Sequence, residues 1–346
     1  MHHSVLHARC TRASFGIVLA VVAGASCAQG SVTLYGIVDT ALEWVNADAN
    51  RAFANAGDTA GGATRLIAGQ PGNAKGSRLG LRGAEDLGGG LRAIFAIEHR
   101  YNLDTGEQSN PAFWNGQAWV GLEGRWGRLS AGRQYTPMFN ALIAVDATAD
   151  QWYGTLESSS RYATRFDNSL EYRTQGWNGL QLYAMAASDE NLQDLRAQYA
   201  LGAVWALQSW VVSGAWQHLD AAGATGSTVQ YAAGIAWRTG PHQVGAGWIS
   251  NDPSGGGRRV DYPYLSLRIA LGAGSFYANI VGSMFEANQK DSVQYALAYD
   301  WPLSRRTKLY VAGSIDTNLR PSVSTPATAS IYLDGQRFSL GVRHDF

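Results

Sequence analysis

Apolar and polar residues alternate with a period of two in segment after segment of this 346-residue chain. The pattern is clear in residues 196–207, 228–238 and 292–301. In residues 292–301, one face carries valine, tyrosine, leucine and tryptophan, and the other carries mainly glutamine, alanine and aspartate. Successive side chains of a β-strand point to opposite faces, so the pattern predicts strands with one apolar and one polar face.

The length of these segments favours a membrane barrel over a soluble sheet. They have about 9–13 residues, near the ~9–11 that a tilted strand needs to cross a bilayer and above the ~5–6 of soluble strands. Tyrosine, tryptophan or phenylalanine stands toward the ends of the apolar faces, as at the two interfaces of a membrane. A soluble, secreted β-sandwich shows the same alternation and is the alternative at this point.

Short and long connections follow one another along the chain. The short ones are residues 85–90, 123–127, 174–179, 208–209, 239–241, 272–274 and 302–305. The long ones are roughly residues 45–62, 102–113, 136–164, 189–195, 220–227, 251–260, 287–291 and 318–335. Seven short turns and eight long loops imply sixteen strands, an even number typical of bacterial outer-membrane barrels. The sequence therefore predicts an all-β fold, a 16-stranded antiparallel transmembrane β-barrel in which the strand from Val32 closes against the strand to Phe346.

The first 28 residues predict a cleaved signal peptide (1–28), which leaves residues 29–346 as one barrel domain. A basic region precedes the apolar residues 15–25, and Ala28 ends a cleavage site of small residues. The apolar stretch is too short for a transmembrane helix. A lipoprotein signal at Cys27 is a less favoured alternative, because the residues before it fit that signal poorly.

The charge balance argues against a nucleic-acid partner, since 27 basic and 27 acidic residues give no net charge. The four histidines beyond the signal peptide are scattered over the chain, without the spacing of a zinc site or an activated nucleophile. No catalytic residue, metal site or cofactor is therefore predicted. An outer-membrane enzyme is a competing hypothesis that requires a serine–histidine or aspartate–histidine pair at one level of the barrel.

The long loop at residues 136–164 is unusual. It lacks alternation, yet with Trp152 and Tyr153 it is too apolar for a disordered segment. We expect it to fold and to be held against the rest of the protein. It also carries three carboxylates, those of Asp146, Asp150 and Glu157.

Six motifs in order resemble the general trimeric porins of Gram-negative bacteria, especially their β-proteobacterial branch. They are VTLYG at 32–36, SRLGLRGAEDLGGGL at 77–91, QAWVGL at 117–122, GRQYTP at 132–137, RFDNSL at 165–170 and GVRHDF at 341–346. The resemblance covers nearly all of the chain beyond the signal peptide. It implies a homotrimer in the bacterial outer membrane, in contact with lipid and lipopolysaccharide, that passes small hydrophilic solutes and ions by passive diffusion. It also implies that the third long loop, residues 136–164, folds into the lumen as a constriction.

In that family, carboxylates of the third loop face arginines of the barrel wall. The resemblance assigns Arg78 and Arg165 to those arginines, and alternation independently points both inward. Arg133 and Tyr135 match the family's GRQ-aromatic pattern. The predicted constriction and lining residues are Arg78, Arg82, Glu98, Arg100, Arg133, Tyr135, Asp146, Asp150, Glu157 and Arg165.

Two departures from the family pattern affect the site. The family usually has arginine just before the QAWVGL motif, where this chain has Gly116. Residues 150–154 replace the family's Pro-acid-aromatic-Gly-Gly loop tip. Several wall arginines against three carboxylates predict a weak preference for anions, and the missing arginine opposes a strong one. Strict alternation in the strand from Arg165 further predicts that Phe166 faces lipid.

Trp152 and Tyr153 leave a second function open. Aromatic side chains in a channel can guide a sugar, so a substrate-specific channel for a sugar or an organic anion is the alternative to a general porin. We favour a role for both residues in pinning the loop to the wall.

Overall fold

The computed structural model describes residues 30–46, 61–68, 72–153, 156, 162–188, 197–220, 226–254, 257–286, 291–319 and 333–346. The predicted signal peptide, residues 1–28, lies outside the described residues. The elements are β1 Ser31–Val45, β2 Ala63–Ile67, β3 Arg78–Gly88, β4 Leu91–Arg100, β5 Gln117–Gly124, β6 Gly127–Tyr135, α1 Pro137–Ile143, β7 Arg165–Arg173, β8 Leu180–Ser188, β9 Ala197–Leu207, β10 Trp210–Asp220, β11 Ser227–Thr239, β12 His242–Pro253, β13 Val260–Leu271, β14 Gly274–Phe285, β15 Ser292–Pro302, β16 Thr307–Leu319 and β17 Leu333–Asp345. Within these ranges, no helix is long and apolar enough to cross a membrane.

All strands belong to one antiparallel sheet that closes on itself. β1 pairs with β17 along Ile37–Val45, and two backbone hydrogen bonds between Gly36 and Phe346 extend the pairing. Among the described strands, closure gives each barrel position a neighbour on both sides, so that backbone groups pair within the sheet as a lipid environment requires. The predicted closure of the first strand against the last is confirmed.

β2 and β3 together occupy a single position in the barrel. β2 pairs with residues Ala41–Val45 of β1, and β3 pairs with Ser31–Ile37 of the same strand. β2 ends at Ile67 and β3 begins at Arg78, so this position in the barrel is interrupted. The strand segments of the described chain therefore fill sixteen positions, as predicted, but the interruption of the second position was not foreseen.

The two faces of the sheet differ in chemistry. In β15, Leu297 is 57% exposed on the outer face, whereas Ala298 beside it is 6% exposed on the inner face. Exposed leucine, valine, isoleucine and aromatic side chains continue around the outer face of the other strands. An apolar band of this extent suits lipid rather than water.

β7 departs from strict alternation. The register between β6 and β7 shifts after Gly132, and Asn168 adopts a left-handed conformation with φ of 48°. This bulge places an extra residue in β7 and re-aims the residues before it. Phe166 is buried in a cluster with Met185 and Ala200, so the expectation that Phe166 faces lipid is wrong.

Candidate pore constriction

The third loop begins with helix α1. Thr136 caps the helix by accepting a hydrogen bond at Oγ1 from the Phe139 backbone N–H at 3.2 Å, and Pro137 occupies the first turn. Both residue types favour a helix start at these positions. Met138 and Leu142 are buried, and the helix packs against β8–β11. The first part of the loop is thereby fixed to one side of the barrel.

Glycines of the wall make room for this part of the loop. A Cβ atom at Gly245 of β12 would lie 1.9 Å from the Val145 carbonyl oxygen, and one at Gly234 of β11 would lie 2.7 Å from the Val145 side chain. A Cβ at Gly202 of β9 would lie 2.9 Å from the Pro137 side chain. These distances are shorter than a real carbon allows, so the loop can approach the wall only where side chains are missing.

The tip of the loop is held by two aromatic residues. The Trp152 ring lies 4.4 Å from the Tyr277 ring of β14 and 6.3 Å from the Tyr310 ring of β16, between ring centres. The Tyr153 hydroxyl donates a hydrogen bond of 2.8 Å to Glu43 of β1. Trp152 and Tyr153 are only 3% and 1% exposed, so neither ring offers a free face to a solute.

Residues 72–77, where the second barrel position is interrupted, also hold the loop tip. Lys75 Nζ donates to the backbone carbonyls of Ala149 at 2.6 Å and Asp150 at 3.2 Å. The backbone N–H of Trp152 donates a hydrogen bond to the backbone carbonyl of Asn73 at 3.1 Å. This support was not predicted from the sequence, although the Pro-Gly pair at 71–72 is a signal of a break in a strand.

The three predicted loop carboxylates have different surroundings. Asp146 is buried and accepts hydrogen bonds from the backbone N–H and hydroxyl of Thr148, at 2.9 and 2.8 Å, and from the Asp150 N–H at 3.1 Å. Burial raises the pKa of Asp146, although these hydrogen bonds oppose the rise. The Asp150 carboxylate lies 3.8 Å from Lys75 Nζ. Glu157 lies outside the described residues.

The contacts of Asp146 therefore differ from our expectation. We expected a carboxylate that lines the passage, but this one is directed into its own loop. Its three hydrogen bonds close a turn, which is the usual behaviour of aspartate beside a bend in the backbone. Asp146 folds the loop.

Four of the predicted lining residues, together with Tyr135, meet on the other side of the barrel. We call Arg78, Arg100, Arg165 and Glu98 the arginine cluster. Arg100 Nε donates to Glu98 Oε1 at 3.0 Å, and an Arg78 terminal nitrogen lies 3.6 Å from the same oxygen. The Tyr135 hydroxyl accepts from Arg165 at 2.7 Å and from Arg100. The Arg165 guanidinium lies 4.2 Å from the Tyr135 ring centre, so Tyr135 links Arg165 to Arg100.

Glu98 occupies the space that a residue at position 116 would need. A Cβ atom on Gly116 would lie 2.5 Å from Glu98 Oε1, so any side chain there requires the carboxylate to move. Glu98 is itself 3% exposed and also accepts a hydrogen bond of 3.2 Å from the Tyr35 hydroxyl. At this place the chain has a buried carboxylate among arginines, where the resemblance led us to expect another arginine.

The two remaining predicted arginines have separate surroundings. The Arg82 guanidinium lies 5.4 Å from the ring centre of Tyr35, and the residue lines a cavity of about 610 Å³ beside the arginine cluster. Arg133 donates to the Asn115 carbonyl at 3.1 Å and pairs with Asp167.

Comparison with known proteins places these features in context. The sequence profile of the Gram-negative porin family matches residues 16–318. An outer membrane porin protein of Bordetella pertussis is 36% identical over 183 residues, which cover 50% of this chain and 48% of the relative. Outer membrane porin protein 32 of Delftia acidovorans is 37% identical over 185 residues, which cover 50% of this chain and 49% of that relative. The chain thus spans about half the length of the curated relatives it matches.

Among solved structures, the anion-selective porin from Comamonas acidovorans superposes with a TM-score of 0.77 at 24% sequence identity. The match covers 92% of this chain and 100% of that one. At this identity the likeness shows a shared fold.

Proposed function

The chain belongs to the Gram-negative porin family, and on that premise we propose that it forms a water-filled channel in the bacterial outer membrane. Small hydrophilic solutes and ions cross it by passive diffusion. The observation that carries the proposal is the closed sheet with an apolar outer face and a polar inner face. Such a channel needs positioned charge and a passage, and it needs no catalytic group, cofactor or metal.

The third loop, residues 136–164, is the proposed constriction. Support comes from its contacts with inward-facing residues of β9–β16 and of β1, which Gly245, Trp152 and Tyr153 illustrate. A loop attached mainly to β9–β16 leaves the passage beside the arginine cluster, which borders the end of the loop where Arg165 donates to Thr164. Asp150 and Arg82 are secondary lining residues in this proposal.

The channel has a weak preference for anions. The arginine cluster combines three guanidinium groups with one carboxylate, so it attracts anions into the passage. Asp146 is not a member of the cluster, because its carboxylate is directed into its own loop. The negative charge of Glu98, which lies within the arginine cluster, weakens the preference for anions.

The protein acts as a homotrimer surrounded by lipid and lipopolysaccharide. Family membership supports the trimer, and the exposed apolar outer face supports contact with lipid. The alternative of a sugar-specific channel gains no support from Trp152 and Tyr153, because both rings are covered on the wall.

Planar-bilayer recording of the refolded protein under asymmetric potassium chloride tests the proposed function. We expect discrete conductance steps and a reversal potential of the anion-selective sign. No conductance steps would contradict the channel, and a cation-selective reversal potential would contradict the anion preference.

A further inference from the structure

A second charged cavity lies at the end of the barrel where the short turns are. Its volume is about 340 Å³, and it sits at the ends of β4–β8, away from the third loop. Its lining includes Arg92, Arg125, Arg128, Arg173 and Glu123. Four arginines against one lining carboxylate give this cavity a basic lining.

Strand register brings these side chains together. Arg92 of β4 lies opposite Glu123 of β5. Glu123 in turn lies opposite Arg128 of β6, and Arg128 lies opposite Arg173 of β7. Directly paired residues share a face of the sheet, so all four side chains form one row on the inner face. Arg125 is added from the short turn between β5 and β6.

Aromatic rings hold two of the guanidinium groups in place. The Arg128 guanidinium lies 4.8 Å from the ring centre of Trp119, and the Arg173 guanidinium lies 4.7 Å from the ring centre of Tyr183. Stacking on an aromatic face fixes the plane of a guanidinium and leaves its edge, which carries the N–H donors, available.

The two stacked arginines share one carboxylate. Glu171 Oε1 lies 2.6 Å from Arg128 and 3.5 Å from Arg173. One carboxylate thus serves two guanidinium groups, which leaves the pair with a net positive charge beside the cavity.

We propose that this cavity binds a small, doubly charged oxyanion. Guanidinium groups held by stacking present parallel N–H donors that match two oxygen atoms of a phosphate or dicarboxylate, whereas chloride offers a single acceptor. The lining keeps an excess of positive charge after Glu123 and Glu171 are counted, which favours a dianion over a monoanion. The site is independent of the constriction, because no residue of the third loop contributes to it.

Calorimetric titration of the detergent-solubilised full chain with inorganic phosphate tests the site. We expect saturable binding of one phosphate per chain, weakened about tenfold in Arg128→Gln and in Arg173→Gln, because each variant loses a charged hydrogen-bond donor. Arg305→Gln in another short turn removes the same charge at a distance from the cavity and should bind phosphate like the wild type.

A second variant avoids disturbing the buried Glu171. Gln175 is exposed at the cavity mouth, so Gln175→Glu adds a negative charge there without removing a contact of either stacked arginine. It should weaken phosphate binding as well. The proposal would be overturned if the wild type showed no saturable binding of phosphate. It would also be overturned if the affinity for phosphate were equal in the wild type, Gln175→Glu, Arg128→Gln and Arg173→Gln. Conductance recorded on the same samples separates this outcome from a failure of the channel itself.

Discussion

The two sides of the barrel interior carry different kinds of residues. On β9–β16, the side that meets the third loop, glycine and aromatic residues face inward, among them Gly245 and Tyr277. On β3–β7, the inward-facing residues include the arginine cluster. The difference teaches that side-chain size decides where the loop can approach the wall. Charge stands on both sides: Lys308 and Arg238 donate hydrogen bonds to the loop, and the arginine cluster lies on β3, β4 and β7.

The largest effect is expected from removing the aromatic anchor of the loop. Trp152→Ala leaves a cavity between Tyr277 and Tyr310, and truncation of a buried tryptophan costs about 3–5 kcal/mol. Trp177→Ala is the matched control, since Trp177 is 72% exposed and surface substitutions usually stay within about 0.5 kcal/mol. Thermal unfolding in detergent micelles and open-channel current noise measure the effect. Equal behaviour of the two variants would show that the tip is not held by packing.

A smaller effect is expected from giving the wall a side chain under the loop. Gly245→Ala places a carbon against the Val145 carbonyl, and overpacking of this kind costs about 1–3 kcal/mol. The loop should shift toward the lumen or detach, with a changed single-channel conductance. Gly214→Ala on β10 is the control, because its Cβ would meet its nearest neighbour, the Ala232 carbonyl, at 3.7 Å. Identical conductance and stability in both variants would remove the steric role of the wall glycines.

The smallest effect concerns the pH dependence of the loop. Because burial raises the pKa of Asp146 above its ordinary value of 3.8, the folded loop binds the proton more tightly than the unfolded chain does. Protonated Asp146 therefore stabilises the folded loop at low pH. This stabilisation is lost as the pH rises above 3.8 and through the raised pKa that Asp146 has in the folded state. Asp146→Asn cannot titrate, so its unfolding temperature should depend less on pH across that range. An unchanged pH dependence would place the titrating group elsewhere.

The barrel could be predicted from the sequence because its signal is local. Alternation, strand length and turn spacing each involve only neighbouring residues, and they gave the sixteen positions and the closure of β1 on β17. The bulge that turns Phe166 inward could not be predicted, because it depends on the pairing of β6 with β7.

The role of Trp152 and Tyr153 in pinning the loop was predicted, but the partners of the loop could not be, for the same reason. Lys75 meets Ala149 and Asp150, and Trp152 meets Tyr277 and Tyr310, across long separations in sequence. Contacts between residues so far apart in the sequence produce no periodic pattern from which they could be predicted. Alternation did point to Glu98 and Arg100 as inward-facing, but it could not tell that Glu98 fills the space beside Gly116.

Reversal potentials of two opposite charge variants test the central claim that the arginine cluster sets the ion preference. Glu98→Gln should move the reversal potential toward stronger anion selectivity, and Arg165→Gln should move it toward cations. One charge a few ångströms from an ion's path changes its energy by about 1 kcal/mol in water, or roughly fivefold in a permeability ratio. Shifts of opposite sign are the predicted result. Shifts of the same sign, or none in either variant, would contradict the account.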